Sequence, residues 1–165
     1  MTMLNELLRL KVYREEKAEM GLARCRLALV EVRRRTDAAR DALAGYRRWS
    51  TEHELGLYGA LYGRLVRARD LEHLREDVVV LRLKERTLEE SLEKVEVERG
   101  QAEVAVRESR AVHEQASRTR EKFVQLVSVQ SEEIRLEAER REDVELEDLY
   151  AIRRDREDWE GSEDE

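Results

Sequence analysis

The stretch GYRRWSTEHELGLYGALYGRL, residues 45–65, decides how this 165-residue chain is read, because four of its seven glycines and four of its eight aromatic residues fall inside it. Proline is absent, and 43% of the residues are charged against 41% apolar and 5% aromatic. Such a mixture fits long helices that bury narrow seams, and not a thick core rich in aromatic residues. The glycines then read as the place where one long helix gives way to another.

Outward from that stretch, the N-terminal half repeats in alternating steps of four and three through Ala18, Leu22, Cys25, Leu29, Val32, Thr36, Ala39, Leu43 and Tyr46. Eight of these nine are apolar, which is a coiled-coil seam with Arg- and Glu-rich positions between. Before Ala18 the register slips, with Leu4, Leu8 and Val12 following steps of four. The C-terminal half restarts the alternation at Val78, Leu81, Glu85, Leu88, Leu92, Val95, Arg99, Ala102 and Val106. It continues through Ser109, His113, Ala116, Arg120, Phe123, Val127, Gln130 and Ile134, where polar residues become frequent and pairing is expected to weaken.

The pattern predicts an all-α fold, a long antiparallel two-helix coiled-coil hairpin with unequal arms. Helix 1 takes residues 1–50, the tip 51–63, helix 2 residues 64–153 and an acidic, disordered tail 154–165. Each glycine in a helix interior costs about 1 kcal/mol relative to alanine, so Gly56, Gly59 and Gly63 are expected to end helix 1 near Ser50–Glu54. A connection this short makes the helices antiparallel neighbours. At 1.5 Å per residue helix 1 spans about 70 Å and helix 2 about 135 Å. With the bend near residue 56, Leu22 faces about residue 90, and residues beyond about 110 have no partner in the chain.

Charge and chemistry exclude several functions. Residues 132–165 carry 16 acids and 6 bases, so the net charge of −7 belongs to the tail, and an acidic chain is a poor binder of phosphate backbones. Nucleic acid is therefore not an expected partner. Nowhere does the chain approach the ~20 apolar residues that cross a bilayer, and no signal peptide is evident, so a cytoplasmic location without membrane insertion is expected. Cys25 is the only cysteine, which rules out an intramolecular disulfide. The three histidines, His53, His73 and His113, are too scattered for a metal site, and no phosphate-binding glycine motif occurs. No catalytic residue, metal or cofactor is expected. At the tip, Tyr58, Leu61, Tyr62 and Leu65 share a helical face, with Leu57 beside them. They either fold back on Tyr46 and Trp49 as a cap or form a docking patch, since aromatic residues dominate binding hot spots.

Four blocks carry a family resemblance: LRLKVYREEKAE (8–19), YRRWSTEHELGLY (46–58), RDLEHLREDVVVLRLKERTLEESL (69–92) and TREKFVQLV (119–127). In this order, over residues 4 to 150, the chain resembles the YscO family of type III secretion stalk proteins, relatives of the flagellar export protein FliJ. The resemblance implies a hairpin whose terminal end enters the pore of the hexameric export ATPase. Its tip would then meet the cytoplasmic ring of the export gate at the inner-membrane base. On that basis Leu57, Tyr58, Leu61, Tyr62, Leu65 and Ala68 are gate-facing; Leu61, Leu65 and Ala68 repeat the spacing of the apolar gate contact in FliJ-like proteins, while Glu72 departs from it. The resemblance also implies a protein that is monomeric when free. An escort for secretion chaperones acting through the distal helix, and a homo-oligomeric tether, remain alternatives.

Overall fold

The computed structural model describes residues 3–160, excluding the side chains of 155 and 157–160. Two helices account for them, α1 (Met3–Leu61) and α2 (Ala68–Glu160), joined by residues 62–67, and no strand occurs among the described residues. The helices pack antiparallel within two units. One is formed by Lys17–His113, the other by the described parts of Met1–Glu16 and Glu114–Glu165.

In the Lys17–His113 unit the seam is dry. Leu22, Leu29, Val32, Thr36 and Leu43 of α1 are buried, and Ala18, Cys25, Ala39 and Tyr46 are half-buried between them. Opposite them Leu81 and Val106 are buried, and Val78, Glu85, Leu88, Leu92, Val95, Arg99 and Ala102 are half-buried. Leu22, Leu29 and Val106 form the core cluster, with Cys25 and Ala102 packed against it. Thr36, 1% exposed, is tolerated there because its hydroxyl donates to the Val32 carbonyl at 2.9 Å, so that hydroxyl is not buried unpaired.

Where the chain reverses differs from expectation. Helix α1 passes through Gly56 and Gly59 and ends only at Leu61, and α2 begins at Ala68. Two interior glycines cost about 2 kcal/mol together, a modest sum beside the half-burial of Leu57 and Leu61 and the turn of helix that carries them. Gly63 is the residue that ends the helix. Its φ of 77° is the left-handed conformation that other residues adopt at a cost. The Tyr62 amide donates to the Gly59 carbonyl at 3.1 Å to close the last turn. Helix α2 starts with a half capping box, in which the Asp70 carboxylate accepts from the Arg67 amide at 3.0 Å.

The later bend resets the register. Cys25 lies beside Ser109, Arg40 beside Glu96 and Arg47 beside Glu85, pairs whose midpoints are residues 67, 68 and 66. Leu22 therefore meets Val106 rather than residue 90, and Leu29 packs in that same cluster. Leu81 is reached instead by Tyr46, whose hydroxyl donates to its carbonyl at 3.0 Å. Arginines of α1 face glutamates of α2 along the flanks, Arg35 with Glu98 at 2.8 Å and Arg40 with Glu96 at 2.9 Å. Exposed pairs of this kind contribute at most about 1 kcal/mol each, yet sliding the helices loses all of them at once. Towards the tip the α1 seam steps Tyr46, Ser50, Glu54, Leu57, Leu61, two fours in succession, which locally relaxes the left-handed supercoil.

The second unit is paired as well, contrary to the expected loss of partners beyond about residue 110. Its α1 seam does not slip to Val12 alone. It keeps the heptad through Leu4, Leu8, Lys11 and Glu15, all half-buried, with Val12 half-buried beside it. Lys11 places its ammonium 5.1 Å from the Phe123 ring centroid, and Glu15 meets the Arg120 guanidinium at 2.5 Å. Half-burial on α2 continues to Gln130, and every side chain described from residue 131 onward is exposed, including Ile134. The overhang thus begins about 20 residues later than expected. Helix α2 itself continues through Glu160, into the stretch expected to be a disordered tail, and residues 161–165 lie outside the described residues.

Candidate functional site: the hairpin tip

The helix ends and the connection between them gather the apolar residues that the seam leaves uncovered. Leu57 and Leu61 are half-buried because they are the last seam positions of α1. Tyr58, one residue round the helix, is 50% exposed, and in the connection Tyr62 and Leu65 are 92% and 99% exposed. Ala68, the first residue of α2, is exposed as well.

A cap that folds all of these back onto Tyr46 and Trp49 does not form. Tyr46 and Trp49 satisfy each other, with ring centroids 5.6 Å apart, and Trp49 stacks on His53 at 4.8 Å with 11° between the planes. The Lys84 ammonium sits 5.3 Å from the Tyr46 ring centroid. The aromatic residues before the bend are thus committed to the flank of the coiled coil, while Tyr62 and Leu65 face outward.

On one side of the tip Tyr58 lines a shallow apolar groove with Leu71, Leu74, Arg75, Val78 and Val79. Leu71, Leu74, Val78 and Val79 were not among the expected tip residues, although Leu71, Leu74 and Val78 follow steps of three and four, with Val79 beside them. Leu57, Ala60, Leu61 and His73 line a second, more polar depression with Arg64, Asp70 and Asp77.

Some arginines of the body pair with glutamates across the seam, Arg47 with Glu85 at 2.7 Å and with Glu89, and Arg82 with Glu54 at 2.9 Å. The hydrogen bond from Arg47 holds the Glu85 carboxyl below the usual range, against a smaller opposing effect of desolvation. Arg64, Arg67 and Arg69, in and beside the connection, are exposed, and among the described residues none of them pairs with a carboxylate. No group of three or more His, Cys, Asp or Glu converges to hold a metal ion among the described residues.

A protein-family model described as "Type III secretion protein YscO" matches residues 4–151. The chain belongs to the YscO family of type III secretion proteins. The crystal structure at 2.8 Å of the type III secretion protein YscO from Vibrio parahaemolyticus is similar to it, with a TM-score of 0.80 and 27% identity over 88% of this chain and 92% of that one. No curated protein sequence matches the chain. YscO-family membership makes this a type III secretion protein, in a family not known for enzymes. Among the described residues no helix is long and apolar enough to cross a membrane.

Proposed function

We propose that this YscO-family protein is the central stalk of a type III secretion system, coupling the hexameric export ATPase to the cytoplasmic ring of the export gate. The observation that carries this reading is the tip. Tyr62 and Leu65, the latter 99% exposed, stand on a connection that stabilises nothing by burying them. Large apolar side chains left in water at a helical bend are what a docking element presents. The unit that holds the chain ends has Glu15 paired with Arg120 in its seam, charges suited to a polar pore.

The coupling works through unequal contacts. A two-helix hairpin has no sixfold symmetry, so inside a hexamer it touches the ATPase subunits differently and favours different conformations in each. The tip biases the gate ring in the same way. The protein acts in the cytoplasm, peripheral to the inner membrane, and enters the machine as a monomer.

The test combines Tyr58→Ala, Tyr62→Ala and Leu65→Ala. Helicity and melting should stay unchanged while binding to the gate ring weakens, each anchor contributing about 2 kcal/mol if it is a hot spot. Parallel loss of folding and binding would make these residues structural and end the docking reading. Reconstitution with the matching ATPase should show one copy per hexamer and faster hydrolysis.

A second reading has its own observation. Leu146, Leu149, Tyr150 and Ile152 of the α2 overhang are each more than half exposed, which suits an escort that carries secretion chaperones. Deleting residues 131–165 should abolish chaperone binding on that reading and leave it intact on the stalk reading.

A further inference from the structure

The connection and the start of α2, residues 62–70, read YGRLVRARD, three arginines against one acid, Asp70. Two of them stand where helix physics disfavours them. Arg67 is the N-cap residue of α2 and Arg69 lies in its first turn, at the positive end of the helix dipole, where a cation is destabilising. Arg67 meets the cap requirement only through its main-chain amide on Asp70; its side chain offers no acceptor to the exposed amides, as Ser, Thr or Asp would. Arg64, just past α1, faces the favourable end of that helix. All three side chains are exposed and unpaired among the described residues, while arginines of the coiled coil such as Arg35, Arg40 and Arg47 have glutamate partners.

Asp70 answers the helix dipole through the Arg67 amide but, among the described residues, forms no ion pair with the three guanidiniums, a local conflict that a partner surface would relieve. Within the arginines lie Leu65 and Val66, 99% and 37% exposed, so the apex is at once cationic and apolar. We propose that this apex docks onto an acidic protein surface with an apolar pocket, with Arg64, Arg67 and Arg69 steering the approach and Leu65 filling the pocket. The inference rests on the reading of the tip as gate-binding and adds the chemistry of the surface that receives it: carboxylates around a small hydrophobic recess. Charges at the rim act mainly on the association rate and its salt dependence, whereas a buried apolar anchor acts on dissociation.

The experiment measures binding of the full chain to the cytoplasmic domain of the matching export-gate protein, by stopped flow at several salt concentrations. The triple substitution Arg64→Ala, Arg67→Ala and Arg69→Ala keeps the Arg67 amide and so the cap. It should leave melting unchanged or slightly raised, slow association about tenfold at low salt and flatten the salt dependence. Leu65→Ala should instead speed dissociation with little change in association. Wild-type binding that the arginine substitutions leave unaltered overturns the proposal while the gate-binding reading stands. A marked fall in melting temperature of the triple variant also overturns it, since the arginines would then serve the fold. Absence of binding to the gate domain, with arginine-dependent binding to vesicles containing phosphatidylglycerol, overturns both and makes the apex a membrane contact.

Discussion

The two units of this hairpin use one heptad pattern in opposite ways. In the Lys17–His113 unit most seam positions are Leu, Val or Ala, with Glu85 and Arg99 half-buried among them, and all of the buried side chains of the described residues lie there. In the unit containing the chain ends the same positions hold Lys11, Glu15 and Arg120, and no described side chain is fully buried. A periodic row thus places residues between two helices, but only apolar residues there exclude water. The first unit supplies stability, and the second leaves a terminal pair held by charge and half-burial, easily opened or re-partnered.

The largest effect should come from breaking the dry seam. Leu29→Ala should cost about 2–4 kcal/mol in denaturant unfolding, by lost transfer free energy and the cavity left behind, whereas the half-buried Leu8→Ala should cost about 1 kcal/mol. Equal costs would erase the distinction between the units. Hydrogen exchange tests it without mutation. Amides of residues 22–43 should exchange at least about thirtyfold more slowly than those of 4–15, and Lys11→Leu, by drying the second seam, should narrow the gap.

The glycines of the bend sharpen the contrast at intermediate magnitude, with opposite signs. Gly63→Ala should destabilise by about 1–2 kcal/mol because its φ of 77° is left-handed. Gly59→Ala should stabilise by about 0.5–1 kcal/mol, since its position is helical and a Cβ there meets no atom within 4 Å.

The smallest effect belongs to the flanking ion pairs. The Glu85 carboxyl is held below its ordinary value, first by the hydrogen bond from Arg47. A depressed folded-state value means that its contribution is present above the unfolded value of about 4.3 and disappears as pH falls through the lower folded one. NMR titration should therefore find Glu85 ionising at lower pH than in Arg47→Ala. Stability of wild type and variant should differ slightly at neutral pH and converge in strong acid.

Much of this was legible in the residues. The rows from Ala18 to Tyr46 and from Val78 to Gln130 fall at buried or half-buried positions throughout, because a repeat of 3.5 residues leaves a helix few ways to hide its apolar side chains. The continuation through Lys11 and Glu15 was hidden, since charged residues carry no signal of burial until a Phe123 or an Arg120 is seen opposite. The groove behind Tyr58 was hidden for a related reason, as Leu71 and Val79 join it only once the bend is placed.

By itself the sequence determined that two long helices pair along narrow apolar rows and reverse near the glycines, because periodicity and backbone propensity are local properties. Only the tertiary structure decided which glycine makes the turn, and with it the register that sets Leu22 against Val106. The reason is energetic. A glycine in a helix costs about 1 kcal/mol, and whether that ends the helix depends on what the next turn can bury, which is settled by the other strand of the hairpin.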